Sequence, residues 1–190
     1  AFSLGFAVWG MFSALGPFLI KWYHLTPSQA LFLAAMPPLF ATLASIPLGI
    51  AADRFGGRKV FSLTLMVIAL PLLGGLFVES YAGFLVLELL LGLGGATFVI
   101  GNAHVASWYP KSKQGTALGL YALGNFGISI GMILVPYLIT QVLGGPEGYA
   151  GLPAKVHFGM FSGWRLIFLF AAIPTVIMAV CYWFFTSDPV

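Results

Sequence analysis

Long apolar runs are the feature of this sequence that most constrains its fold. Residues 61–78 and 166–185 carry no charged side chain, and each run approaches the roughly 20 apolar residues that cross a bilayer core. Lipid offers no hydrogen-bond partners to a backbone, so such segments must be helices or strands of a closed barrel. The runs are continuous rather than alternating, which favours transmembrane helices.

The composition excludes several classes of function. Hydrophobic residues make up 60% of the chain and charged residues 7%, which is too little polar surface to cover a water-soluble globule. The basic residues are scattered, so no nucleic-acid partner is predicted. The single cysteine, Cys181, can form neither an internal disulfide nor a thiolate metal site. No catalytic triad, metal-ligand pattern or nucleotide loop occurs, so we predict no enzyme, metal or cofactor.

The polar segments between the apolar runs divide the chain into helices. They predict an all-α membrane protein with one domain, 1–190, made of six transmembrane helices at about 2–23, 27–52, 60–78, 81–108, 115–143 and 164–185. Thr26 and Pro27, followed by Gln29, are typical of a capped helix start. Residues 144–163, which include Glu147, are rich in glycine and polar residues and indicate one extended loop.

Basic residues indicate how these helices are oriented. One side of the predicted bundle carries five of them: Arg54, Arg58, Lys59, Lys111 and Lys113. The opposite side carries three: Lys21, Lys155 and Arg165. Cytoplasmic loops of membrane proteins are enriched in lysine and arginine. We therefore expect the first side, and with six helices both termini, to lie in the cytoplasm.

The loop between helices two and three carries a recognisable motif. Residues 49–59 read GIAADRFGGRK and resemble the loop motif of the major facilitator superfamily. In a gating loop of this kind Gly49 permits close helix contact, while Asp53, Arg54 and Arg58 form charge-assisted contacts that hold one access state and release in another. The glycine doublet that begins at Gly56 makes the resemblance to this loop motif more specific. The alternative is a basic cytoplasmic turn with no gating role.

Helix five places one amide, Asn125, on a glycine-rich face: Gly115, Gly119, Gly124, Gly127 and Gly131. With WYPK at 108–111 and QG at 114–115, this pattern resembles the nitrate/nitrite porter family of that superfamily. The resemblance implies two inverted three-helix repeats that work against a second six-helix half in a bacterial inner membrane. It also implies a small anion, nitrate or nitrite, as substrate, with proton symport and anion exchange both left open.

The glycine-rich face suggests where a substrate would bind. An amide in hydrocarbon is costly unless it bonds to a neighbour or a ligand, and Gly124 and Gly127 would let a ligand approach the Asn125 backbone. Asn125 could then donate to a planar oxyanion; the alternative is that it ties helix five to another helix. The resemblance also places Phe12 and Phe98 near the substrate path.

Ser45 is a departure from the porter pattern. Porters of this family carry an arginine in helix two that grips the anion, and the alignment of Ile46, Pro47 and Gly49 puts Ser45 at that place. No lysine or arginine occurs between Lys21 and Arg54, so helix two cannot supply a bidentate clamp. Divergence to another substrate and a deliberate substitution are both compatible with a serine here.

Two further polar residues are candidate proton sites. Glu88 lies among leucines and valine, where its ionised form is disfavoured; the alternative is that it meets water or a headgroup near the outer interface. His104 could titrate, although a structural role near the cytoplasmic end is the favoured interpretation.

Two functions therefore remain in competition. The first is a secondary carrier, whose second half comes from the same chain, a separate chain or a second copy. The second is a non-transporting membrane sensor or assembly module, which Ser45 favours.

Overall fold

The computed structural model describes residues 1–146, 151–158 and 160–188, so Glu147 lies outside the described residues. The described residues form six helical segments that are long and apolar enough to cross a membrane, and two of these segments consist of more than one α-helix. The first three spans are single helices: α1 (Phe2–Tyr23), α2 (Pro27–Phe55) and α3 (Gly57–Gly74). The fourth contains α4 (Tyr81–Leu91) and α5 (Leu93–Trp108), the fifth α6 (Lys111–Ala122) and α7 (Phe126–Tyr137), and the sixth α8 (Leu166–Phe185).

Local sequence explains where α2 begins and ends. The Thr26 side chain accepts a hydrogen bond from the Gln29 amide, and the Gln29 side chain accepts one from the Thr26 amide at 2.9 Å. This reciprocal cap confirms the predicted start. The helix ends at Gly56, whose φ of 94° is accessible mainly to glycine. α2 therefore extends three residues beyond the predicted limit of 52, and α3 begins at Gly57 rather than at 60 and ends at Gly74 rather than at 78.

The fifth span is not one regular helix. A short 3-10 turn, Leu123–Asn125, separates α6 from α7, and a π-helical turn, Leu138–Leu143, follows Pro136. The Lys155 ammonium donates to the carbonyl oxygens of Thr140 at 2.7 Å and Gln141 at 3.3 Å. A side chain from the following loop thus satisfies carbonyls that an irregular helix end leaves free.

The loop before the sixth span holds a small antiparallel hairpin. Strand β1 (His157–Phe158) pairs with β2 (Phe161–Ser162). The loop was predicted from its polar and glycine content, whereas a two-residue ladder leaves too little alternation to be predicted.

The packing of the spans reveals an internal relation. The first span packs on the fifth, the second on the fourth and the third on the sixth, with α5 also against α1 and α3 at the centre. Suppose that span one is exchanged with span four, two with five and three with six. The pair of spans one and five then becomes the pair of spans four and two, and the pair of spans three and six is unchanged. This is the pattern of two related three-helix repeats. Side chains such as Leu65, Ile100 and Phe168 fill the core without exposure.

Candidate functional site

Glycines of the fifth span fix the position of Asn125. Gly124, Gly127 and Gly131 are buried against α1, where a Cβ would meet the Phe2 ring, the Ser3 carbonyl and the Ala7 carbonyl respectively. Close helix contacts of this kind are typical of small residues spaced four apart in membranes. α1 therefore lies directly on these three glycines, which are used for packing between helices, whereas Gly115 and Gly119 of the predicted glycine-rich face are exposed and make no such contact.

Asn125 itself turns away from this contact. It is exposed, it ends the 3-10 turn, and its Nδ2 donates to the Ala122 carbonyl oxygen at 2.8 Å. An amide nitrogen has two N–H donors, so this bond within the span leaves a donor and the Oδ1 acceptor for another group. Among the described residues the Asn125 side chain hydrogen-bonds to Ala122, and this bond does not join helix five to another helix.

An aromatic cluster lies one turn before Asn125. Tyr121 stacks on Phe2 with ring centroids 4.6 Å apart, and its hydroxyl donates to the Thr97 carbonyl oxygen at 3.0 Å. Phe98 joins the cluster at 5.5 Å from Phe2 and 6.3 Å from Tyr121. Sequence reasoning selected Phe98 but missed Tyr121, although its spacing of four residues from Asn125 was a usable signal.

Ser45 lies on the seam between α2 and α5. One turn before it, Ala41 contacts Gly95, and one turn after it Gly49 lies so close to Val99 that a Cβ would be 3.2 Å from that side chain. Ser45 is half-buried, and its hydroxyl donates to the Ala41 carbonyl oxygen at 2.7 Å. The hydroxyl donor is thus already used within its own helix.

Phe12 is a core residue in this structure. Its side chain is 2% exposed and its ring lies 5.7 Å from that of Phe168 on α8. The resemblance predicted that Phe12 flanks the substrate path, whereas here the ring packs between the first and sixth spans. The structure does not bring Phe12 to the exposed surface on which Asn125 lies.

The exposed residues of the bundle differ in chemistry from span to span. Along α3 and α8 they are large and apolar: Leu63, Met66, Val67, Leu70, Leu73, Phe170, Ile173, Ile177, Val180 and Phe184. Along α1 and the fifth span, large apolar residues such as Leu120, Phe126 and Ile133 are exposed together with small and polar ones: Ser3, Ser13, Gly119, Asn125 and Ser129. The first surface suits lipid, while the exposed polar groups of the second, which we call the polar face, are costly to place in hydrocarbon.

The motif loop is tied to the end of the sixth span. Asp188 accepts a hydrogen bond from the Arg58 amide at 2.8 Å, and the Arg58 guanidinium donates to the Thr186 carbonyl oxygen at 3.3 Å. A Cβ at Gly56 would overlap the Asp188 carboxylate, and one at Gly57 would overlap the His104 ring. The glycine doublet therefore admits a carboxylate and an imidazole to the start of α3.

His104 belongs to the same contact. Its Nδ1 lies 3.3 Å from Asp188 Oδ1, an ion-pair distance once the imidazole is protonated. The structural role favoured for His104 therefore has a partner, Asp188, that sequence reasoning missed because it lies 84 positions further along the chain (188 − 104). Asp53 and Arg54 are exposed, and the Arg54 guanidinium lies 5.6 Å from the Phe55 ring centre.

We expect Asp188→Asn to loosen this contact while leaving the bundle folded. The substitution keeps the shape of the side chain but removes the charge that the Arg58 amide and His104 face, at a cost of about 1 kcal/mol for a partly exposed group. Hydrogen exchange of residues 56–60 should become faster. Asp53→Asn is the matched control, since Asp53 borders the same cavity; equal exchange in both variants would contradict the expectation.

Glu88 lies inside the bundle. Its side chain is 2% exposed, and its Oε2 has no hydrogen-bond partner among the described residues. The alternative that Glu88 meets water or a headgroup at the outer interface does not agree with this burial. A buried carboxyl without a partner is costly when ionised, so a protonated side chain fits the site better.

The fold defines an all-α membrane protein with six candidate spans in the described residues. The family model of the Major Facilitator Superfamily matches residues 1–190. The chain belongs to the major facilitator superfamily, which confirms the resemblance of the motif loop and the predicted six-helix fold class.

Relatives of the chain include nitrate and nitrite transporters. It is 37% identical over 188 residues to the probable nitrate/nitrite antiporter NarK1 of Thermus thermophilus, covering 98% of this chain and 40% of the relative. It is 34% identical over 158 residues to the nitrate/nitrite transporter NarU of Escherichia coli, covering 79% and 34%. The nitrate/nitrite transporter NrtP of Nostoc punctiforme is 29% identical over 189 residues, covering 99% and 35%. The chain thus spans at most 40% of these relatives.

Solved structures support the fold. An inward-facing, occupied structure of a bacterial homologue of the human lysosomal transporter Spinster superposes with a TM-score of 0.80 at 21% identity, covering 100% of this chain and 43% of that one. The inward-open xylose transporter XylE of Escherichia coli gives a TM-score of 0.68 at 15% identity, covering 99% and 47%. The chain shares its fold with less than half of each of these two transporter chains.

Proposed function

We propose that the chain is one half of a secondary transporter for a small anion, nitrate or nitrite, that works by alternating access. The observation that carries the proposal is Asn125: an exposed amide, with a free donor, on a polar face that lipid would not cover. The similarity to three nitrate and nitrite transporters supplies the substrate class.

The polar face is where a second six-helix half would pack. A substrate held between two halves would meet Asn125 and the backbone around Gly124 and Gly127 from one side, with Phe98 beneath in the aromatic cluster. Ser45 would contribute only after its hydroxyl leaves the Ala41 carbonyl. The second half belongs to the same native chain, a separate chain or a second copy, and each arrangement covers the face.

The motif loop is proposed to gate the side that carries Arg54 and Arg58. In this structure the loop is held by Asp188 through the Arg58 amide, with the glycine doublet giving the carboxylate access. Gly49 allows α2 to pack closely on α5. A rocking movement of the helices would therefore strain the contact between Asp188 and Arg58. Exposed Asp53 and Arg54 are free to meet the second half when that side closes. Positive residues on this side support a cytoplasmic location of the loop and of both termini in a bacterial inner membrane.

Glu88 is the proposed proton site if transport is coupled to protons. Its deeper burial and the lack of any charged neighbour among the described residues favour this role over that of His104, whose Nδ1 has no hydrogen bond to them but lies 3.3 Å from Asp188 Oδ1. Without such coupling the carrier would exchange nitrate for nitrite.

A second function is favoured by a specific observation at Ser45. α2 carries no cation between Pro27 and Ala52 and the Ser45 donor is used internally. A non-transporting sensor or assembly module would need no anion clamp there.

Anion counterflow in liposomes tests the proposal. The protein, with any second half it requires, is reconstituted into liposomes. The liposomes are loaded with nitrite, and the entry of nitrate is followed. Asn125→Ala should lower apparent nitrate affinity by roughly 10- to 100-fold, because a hydrogen bond to a charged group contributes about 1.5–3 kcal/mol. Gln141→Ala, at an exposed amide in the π-helical turn of the same span, should change nothing. Absence of nitrate-dependent flux in the unmodified protein would favour the sensor or another substrate.

A further inference from the structure

A groove lies on the surface of the bundle, next to the motif loop. It has a volume of about 470 Å³ and lies between α2 and α3, with Leu48 and Phe55 on one wall, Leu63 and Val67 on the other and Leu93 at its base. Phe55 and Leu63 are largely exposed. The groove therefore opens toward the side where α3 presents large apolar residues, which is the surface that suits lipid.

Only two polar side chains of the described residues line this groove. Thr64 is one, and its hydroxyl donates to the Val60 carbonyl oxygen at 2.8 Å. The other is Lys59, which is exposed and makes no hydrogen bond or ion pair within the part of the chain that the structure describes. Because the groove lining is almost entirely apolar, Lys59 lines one end of the groove with its stem, and its ammonium has no partner from the described part of the chain.

A second cation lies at the same end. The Arg54 guanidinium sits over the ring of Phe55, which forms a wall of the groove. Arg58 is directed elsewhere, toward the Thr186 carbonyl oxygen and the Trp183 ring. Lys59 and Arg54 therefore give the groove mouth a positive charge that Arg58 does not share.

Two other apolar grooves provide a comparison within the molecule. One is lined by Leu70 and Val86, the other by Met66 and Phe184, and no charged side chain of the described residues lines either. Apolar concavity alone is therefore common on this bundle. The groove at Lys59 is distinguished by a cation at its end.

We propose that this groove binds one anionic glycerophospholipid, with an acyl chain between α2 and α3 and the phosphate headgroup on Lys59. The lysine stem lies along the apolar wall while its ammonium reaches the headgroup level. Cations close to a membrane surface attract anionic lipids. The bound lipid would brace the end of α2 against the start of α3, beside the loop to which a gating role was assigned; the binding itself does not depend on that role.

Native mass spectrometry of the purified protein, with any second half it requires, tests the site. Phosphatidylglycerol and phosphatidylcholine with identical acyl chains are added at equal concentration. One lysine near the surface contributes enough for roughly a fivefold preference for the anionic lipid. Lys59→Gln should lower the preference roughly fivefold, while Lys111→Gln, an exposed lysine on the same side but outside the groove, should leave it unchanged.

A groove-filling variant separates the lipid from a simple anion. Leu63→Trp should reduce retention of both lipids, and inorganic phosphate should not displace phosphatidylglycerol from the unmodified protein. Unchanged preference in Lys59→Gln, unchanged retention in Leu63→Trp, or displacement by phosphate would each overturn the proposal. Thermal unfolding of the variants verifies that each remains folded. These outcomes are independent of anion flux, so they do not rest on the proposed substrate.

Discussion

Replacing Gly127 by alanine is expected to force α1 away from α7 and to destabilise the bundle by about 1–3 kcal/mol, the usual cost of overpacking. A Cβ at this position would overlap the carbonyl group of Ser3, which is backbone and cannot rotate away. The thermal unfolding midpoint of the detergent-solubilised protein should fall clearly.

Gly119→Ala is the matched control for this prediction. Gly119 lies in the same span, is exposed, and has nothing within 4 Å of the position where a Cβ would be. Alanine favours the helix there by up to roughly 1 kcal/mol, so the midpoint should stay or rise. Equal loss in both variants would show that the span responds to alanine in general and not to the contact with α1.

Replacing Ser45 by arginine is expected to strengthen nitrate binding by roughly 10- to 100-fold, because hydrogen bonds to a charged group contribute about 1.5–3 kcal/mol. The guanidinium would supply the planar pair of donors that suits a small oxyanion. Ser45 is half-buried on the seam between α2 and α5, so the new charge should lower stability without anion and make the unfolding midpoint respond more strongly to nitrate.

Ser45→Gln controls for side-chain size without the charge. Calorimetric titration at low salt compares the three proteins, and the gain of the arginine variant should shrink as salt screens the charge. Stronger binding in both variants would point to size alone. No change in either would place residue 45 outside an anion site, and the sensor or a different substrate would then be favoured.

Local rules gave a large part of the fold in advance. Uncharged runs located the six spans, and the Thr26 cap set the start of α2 correctly. The limits of α2 and α3 were predicted less well because the loop residues continue the helix up to a single glycine with positive φ. Polar side chains can remain helical beyond the apolar stretch, so the end of hydrophobicity is not the end of the helix.

The site was less accessible to sequence reasoning. Asn125 was selected from its polarity, but its direction depends on how Gly127 seats α1, which no local pattern states. Asp188 lies far from the loop that it holds, and Tyr121 is one of seven tyrosines with no local mark except its spacing from Asn125. Long-range partners of this kind follow from packing, and packing is specified by the whole chain.

The irregular fifth span has a mechanical consequence. Its second part, α7, is packed on α1 through buried glycines, while its first part, α6, has no buried residue among those described. The 3-10 turn between them interrupts the regular α-helical hydrogen-bond pattern. A bend of α6 relative to α7 would therefore be centred at Asn125, the residue that ends this turn.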